Sequence, residues 1–180
     1  MNIFQSTWLR PWSALLLVVA APAWAGQSPR EPSVAPVPSQ IAATKRVFVS
    51  NAGGDCAPVG NAGFSGGRDR PYNQFYSALK EWGRYELAAS PSDADLAFEI
   101  SFRCPPTGGN VAKGNSVPPL YDAQFRLRIL DVKTHIVLWG ITEHVVPAIL
   151  QGNRDKNFDG ALNKLVDDVI KLVAGAAPSP

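Results

Sequence analysis

Eight consecutive residues, Leu96-Ala-Phe-Glu-Ile-Ser-Phe-Arg103, alternate large apolar side chains with small or polar ones. Side chains of a strand point to opposite faces in turn, so this segment reads as a strand with one buried and one wet face. Leu96, Phe98, Ile100 and Phe102 take the dry side; Ala97, Glu99, Ser101 and Arg103 take the wet one. Tyr121 to Leu130 repeats the pattern, with Ala123, Phe125, Leu127 and Ile129 inward and Gln124, Arg126 and Arg128 outward. Asp131-Val-Lys-Thr-His135 then turns the chain, with the Asp131 carboxylate accepting backbone N–H bonds within the turn. Ile136 to Val146, containing Trp139, returns as a further strand. A sheet built this way needs a cover on one face only.

Two helical stripes supply that cover. Tyr72, Phe75, Leu79 and Trp82 recur at helical spacing, behind Asp69 as the expected cap and Pro71 in the first turn, and Gly83 follows as the C′ residue. Near the end of the chain Phe158, Leu162, Leu165, Val169 and Leu172 or Val173 make one apolar stripe. Lys164, Asp167, Asp168 and Lys171 lie away from it, and Gly175 closes the helix. Arg46-Val-Phe-Val-Ser50, stopped by Asn51-Ala-Gly-Gly, and Tyr85 to Ala89, stopped by Ser90-Pro91, complete the strands. The predicted order is β-α-β-β-β-β-α. It describes an α+β two-layer sandwich, a five-stranded mixed sheet with two helices on one face. The helix crossover makes the first and third strands parallel neighbours; antiparallel hairpins are expected elsewhere. No internal repeat is visible.

Residues 1–25 read as an export signal: Arg10 as the positive flank, an apolar run from Trp12 to Ala21, and Ala23-Trp24-Ala25 as the cleavage site. The run is about half the roughly 20 residues that span a bilayer. No other stretch approaches that length, so the chain is not expected to be membrane-spanning. Cleavage would expose Gly26, not cysteine, so no lipid anchor is expected there. The mature chain is expected in the periplasm or outside the cell. Residues 26–44, with Pro29, Pro32, Pro36 and Pro38, read as a Pro-rich flexible linker, 45–175 as a single domain, and 176–180 as a disordered tail. Arg10 is the only charged residue in the signal, so 16 basic residues face 15 acidic ones in the remainder. That balance, and export, argue against nucleic acid as a partner.

Cys56 follows the first strand and Cys104 ends the third, so parallel pairing of those strands brings both to one end of the sheet. In an exported chain they are expected to form a disulfide. Two long connections leave that end, 51–70 and 104–120, both rich in glycine. Phe64, Arg68 and Arg70 from the first, with Lys113 from the second, form a candidate surface for an anion or a partner. The competing reading makes both loops plain connectors tethered by the disulfide.

Catalytic patterns do not assemble. Gly60-Asn-Ala-Gly-Phe-Ser-Gly-Gly-Arg68 has the glycines of a phosphate loop without its Lys-Ser/Thr, and Gly63-Phe-Ser-Gly66 lacks the spacing of a nucleophile elbow. His135 and His144 are the only histidines, too few and badly spaced for a zinc site. A hydrolase pairing His144 with Glu143 or Asp131 has no nucleophile at a recognisable spacing. No catalytic residue, metal or cofactor is expected.

Several local strings recur together: Lys45-Arg-Val-Phe-Val, Leu79-Lys-Glu-Trp-Gly-Arg-Tyr-Glu-Leu, Ala94-Asp-Leu, and Leu130-Asp-Val-Lys-Thr-His-Ile-Val-Leu-Trp139. Over about residues 45–175 the series resembles small bacterial envelope proteins of uncharacterised type. It is more distantly similar to the amino-terminal domain of the translocation protein TolB and to curli-secretion lipoproteins. The resemblance implies a non-enzymatic role, with unidentified envelope proteins as partners. The leading expectation is therefore an exported module acting through protein contacts or as an assembly accessory. The alternative is a small-ligand or anion binder using loops 51–70 and 104–120; a hydrolase ranks third.

Overall fold

In the computed structural model the alternating segment 96–103 becomes the central strand of a five-stranded mixed sheet. The structure describes residues 35–54, 56, 63–107, 111–112, 115–116 and 121–176. The signal segment 1–25, linker residues 26–34 and tail residues 177–180 lie outside the described residues. The elements run α1 (Ser39–Ala43), β1 (Arg46–Gly54), α2 (Arg70–Trp82), β2 (Glu86–Leu87), β3 (Leu96–Arg103), β4 (Val111–Ala112), β5 (Asn115–Ser116), β6 (Gln124–Asp131), β7 (Val137–His144) and α3 (Gln151–Gly175). The sheet order is β2-β1-β3-β6-β7, and β4 and β5 make a separate two-stranded ribbon within the second long connection. The fold is α+β, as the patterning predicts.

β1 lies parallel to β3, with Val47 opposite Leu96, and β3, β6 and β7 follow as antiparallel neighbours. One pairing differs from expectation: β2 runs parallel to β1, with Arg46 opposite Glu86, instead of joining a hairpin. The cause is α2, which carries the chain back to the starting end of β1, so the next strand must leave in the same direction. Backbone bonds from Glu86 N–H to the Lys45 carbonyl and from Ala88 N–H to that of Val47 hold it there.

The dry face is as the alternation places it. Val47, Val49, Leu96, Phe98, Ile100, Phe125, Leu127 and Ile129 are buried, and Phe75 and Leu79 of α2 join Phe158, Leu162, Leu165, Val169 and Val173 of α3 in the same core. Full burial of such a side chain stabilises by roughly 1.5–3 kcal/mol. Arg126 and Arg128 stay exposed on the other face. Gln124 does not: it is buried, because its register neighbours on either side are Arg103 and His144, side chains long enough to cover it.

Two local expectations are corrected. The linker does not run to residue 44, since Ser39–Ala43 forms α1 and Ile41 is fully buried. Ile41 is the large apolar side chain that fixes this turn; Tyr85 Oη donates to its carbonyl at 2.9 Å, and Gln40 hydrogen-bonds Asp131. Asp69 occupies the cap position of α2 without capping it. Its carboxylate instead accepts from Asn51 Nδ2 at 2.9 Å, tying the helix start to the end of β1. At the other end Gly83 adopts φ 67° and its N–H reaches the Leu79 carbonyl, the expected left-handed stop.

β1 continues to Gly54, four residues past Ser50, where the sequence pattern ends it. The register with β3 shifts between Asn51 and Gly54, a bulge that presses the backbone against its neighbour. A Cβ at Gly54 would lie 2.3 Å from the Phe102 carbonyl oxygen, so the close approach requires glycine. Gly54→Ala should therefore lower stability by about 2 kcal/mol in urea titration; an unchanged midpoint would mean that the bulge yields freely.

Candidate functional site

The pole at which β1 and β3 end, β6 begins and β7 ends gathers most of the chain's unusual chemistry. Cys56 and Cys104 are joined there, with Sγ–Sγ 2.09 Å and Cα–Cα 4.8 Å. The parallel pairing of β1 with β3 brings them within reach, as expected.

Beside the disulfide, loop 63–67 is fastened to the N-terminal ends of both long helices. Arg70 is the fastener. Its Nη1 donates to Asp155 Oδ1 and to the Ser65 carbonyl, each at 2.9 Å, and its Nη2 donates to Asp159 Oδ1 at 2.5 Å. Its guanidinium lies 4.3 Å from the centre of the Phe158 ring. The side chain is only 11% exposed, so these partners offset the cost of removing a cation from water. Asp155 also accepts from Ser65 N–H at 2.9 Å and from Gln151 Nε2 at 3.0 Å. Hydrogen bonds from Gln151, Ser65 and Arg70 hold its carboxyl well below the usual carboxylate range.

Two of the predicted surface residues are thus used inside the fold. Phe64 packs edge-on to Phe102 and tilted against Phe158, both at 5.2 Å between ring centres. Arg70 is enclosed by the carboxylates of α3. Arg68 is exposed at this pole, and Lys113 lies outside the described residues. The hydrolase pairings do not form. Glu143 and His144 are adjacent in β7 and so face opposite ways; Glu143 accepts from Lys164 Nζ at 2.5 Å, while His144 Nδ1 lies 2.9 Å from Asp122 Oδ1. Asp131 sits at the far end of the sheet, accepting from Thr134 N–H at 2.7 Å in its turn. Among the described residues no group of three or more His, Cys, Asp or Glu could hold a metal ion.

β7 stops at His144, short of the Val146 expected for this strand, and the connection from there to α3 has no role in the sequence pattern. Val146, Ile149 and Leu150 are exposed there, Ile149 at 93%. Their backbone is nevertheless tied down. Asn157 Nδ2 donates to the Val146 carbonyl at 2.9 Å, Arg154 hydrogen-bonds the Ile149 carbonyl, and Arg154 N–H donates to that of Leu150 at 3.0 Å. Val145 anchors the near end: it is buried and its N–H reaches the Ala123 carbonyl at 2.7 Å. A signal for this was present. Val145-Val-Pro-Ala-Ile-Leu150 is an unbroken apolar run in which Pro147 cannot continue a ladder, so its side chains have no sheet to enter.

No family model matches this chain, and no curated protein matches it. Among solved structures it is similar to a DUF330 protein from Xanthomonas campestris, at 14% identity over 79% of this chain and 91% of that one, TM-score 0.49. A DUF4136 protein from Bacteroides thetaiotaomicron is 11% identical over 77% and 91%, TM-score 0.47. The LpoB C-terminal domain from Salmonella enterica is 12% identical over 57% and 83%, TM-score 0.35. Likenesses of this degree carry no residue role across. Among the described residues, no helix is long and apolar enough to cross a membrane.

Two outcomes test how the pole is braced. Replacing both cysteines by alanine removes a cross-link spanning 48 residues and should cost about 4 kcal/mol on the chain-entropy estimate, read as a lower urea midpoint. The depressed Asp155 carboxyl contributes stability that is present above its unfolded value, near pH 4, and is lost as pH falls towards its folded value. Asp155→Asn should therefore be less stable than wild type at pH 7, with the gap closing below about pH 4. A gap that stays constant with pH would remove Asp155 from the linkage.

Proposed function

We propose that this chain is an exported, non-enzymatic envelope module that works by holding another envelope protein against its disulfide-braced pole. The observation that carries the reading is the anchored display of Val146, Ile149 and Leu150. A frayed apolar loop would lose conformational entropy on binding; one whose carbonyls are already hydrogen-bonded has less to lose. Each of the three side chains is worth roughly 1.5–3 kcal/mol when fully buried, enough for a compact hot spot. Phe64 and Arg70 pack against Phe158 on the helix that follows this segment, and Arg68 adds an exposed charge at the same end of the molecule. Export rests on residues 1–25, which would make Gly26 the first residue of the mature protein.

The test uses the mature protein as bait on intact envelope extract, with each captured protein then purified and titrated alone. A genuine partner should lose at least tenfold in affinity to bait carrying Ile149→Asp and Leu150→Asp, while the bait's melting temperature stays at or above wild type because the replaced side chains face water. Equal affinity for both baits would overturn the assignment of the surface.

A further inference from the structure

The face of the sheet opposite the helices carries a charge arrangement that the partner surface does not use. Arg126 and Arg128 stand two residues apart on β6, about 7 Å along one face. In register, Arg128 is opposite Glu99 and Arg126 is opposite Ser101 on β3; on β7 they face Gly140 and Thr142. A groove of about 290 Å³ runs here, bounded by Ala52, Glu99, Ser101, Arg103, Pro105, Arg126 and Arg128. Its floor is small because Ser101 and Ala52 leave room between the long cations. The two arginines differ in one respect. Arg128 has a counter-charge, with its Nη1 3.4 Å from Glu99 Oε2, whereas Arg126 is exposed and no acidic side chain among the described residues pairs with it.

We propose that this groove binds a carboxylate-bearing sugar unit of an anionic polysaccharide, with Arg126 as the principal contact. Guanidinium presents a planar fork that matches a carboxylate in two parallel hydrogen bonds. Arg128 and Glu99 offset each other and Arg103 is engaged elsewhere, so Arg126 contributes one positive charge and suits one negative charge; a phosphomonoester, at about −1.5 to −2, brings more than it can answer. The groove sits at the small end of ligand-site volumes and no large apolar side chain bounds it, so it offers a protein partner no pocket for an anchor. The exposed Thr142 hydroxyl, across the ladder from Arg126, suits a hydroxyl of a sugar, while the buried Ser101 hydroxyl donates to the Arg126 carbonyl at 3.5 Å and holds that strand pair in place. None of the groove's lining residues belongs to the Val146–Leu150 segment, so the proposal stands whether or not that segment has a partner.

The experiment is calorimetric titration of the mature protein at low salt with an oligogalacturonate of defined length. A neutral maltooligosaccharide of equal length, tripolyphosphate and an oligoglutamate serve as the other arms. Oligogalacturonate should bind and the neutral sugar should not. Arg126→Gln should lower the affinity at least tenfold, Arg126→Lys should keep part of it, and Lys133→Gln, in the turn at the opposite pole, should leave it unchanged. Arg126 is exposed, so circular dichroism and melting should match wild type in all three variants. Absence of binding, or equal losses in Arg126→Gln and Lys133→Gln, would overturn the site. Tripolyphosphate or oligoglutamate binding more tightly than oligogalacturonate would overturn the ligand class.

Discussion

The structure depends on one contact: the ring of Phe158 against the ends of three other elements. Phe158 meets Phe102 of β3 at 5.2 Å and Phe125 of β6 at 4.8 Å, both edge to face, and Phe64 of the first glycine-rich loop at 5.2 Å. Edge-to-face pairs place the positive rim of one ring over the negative face of another, adding roughly 0.5–1.5 kcal/mol each beyond burial. The remaining face of Phe158 receives the Arg70 guanidinium. One side chain on α3 thus fixes where the helix begins over the sheet, where loop 63–67 lies, and where the first turn of α2 points. Cys104 follows Phe102 by two residues, so the disulfide is anchored to the same cluster.

That arrangement explains how a charged side chain can be largely enclosed. Arg70 is not an ornament on an apolar core; without Asp155, Asp159 and the Ser65 carbonyl its charge would be an uncompensated cost. Once paired, it converts a flexible glycine-rich stretch into a fixed wall, and Gln151 extends the wall by donating to the Gly63 carbonyl at 3.1 Å. The same helix end stabilises the neighbouring β7–α3 connection through Asn157 and Arg154. An exposed run of Val146, Ile149 and Leu150 is unfavourable for a lone molecule in water. Its carbonyls at Val146, Ile149 and Leu150 are bonded from within the fold, so under the proposed docking the segment has less freedom to lose.

The parts of the fold that were legible before any coordinates follow from short-range periodicity. Leu96 to Phe102, Phe125 to Ile129 and Phe158 to Val173 face the core because a two-residue and a 3.6-residue repeat leave them no alternative. The parallel neighbours β1 and β3, and with them the disulfide, follow from a helix between strands. What escaped depends on partners far along the chain. Ile41 is the one isoleucine in a proline-rich stretch, and its place in the core depends on partners far along the chain such as Tyr85. Arg70 and Phe64 look like surface chemistry until Asp155 and Phe158, some ninety residues later, are brought against them. Asp69 has the identity of a cap, yet Asn51 competes for its carboxylate and wins. The Val145–Leu150 run was visible, but apolarity alone does not say whether a segment is buried or displayed.

The near balance of acidic and basic residues conceals how unevenly the charges are distributed. On α3, Asp155 and Asp159 turn inwards to Arg70, and Lys164 is taken by Glu143, so these charges are consumed within the fold. On β6 the two-residue period sends Arg126 and Arg128 to the same wet face, and Glu99 across the ladder neutralises one of them. Of these two, Arg126 therefore has no charge partner among the described residues and stands beside a floor of small residues. Moving the acid from position 99 to 101, one pleat along the same face, would place it opposite Arg126 and leave Arg128 as the unpaired cation instead. The location of the basic groove is thus a matter of strand register, and register is held by the phenylalanines on the opposite face.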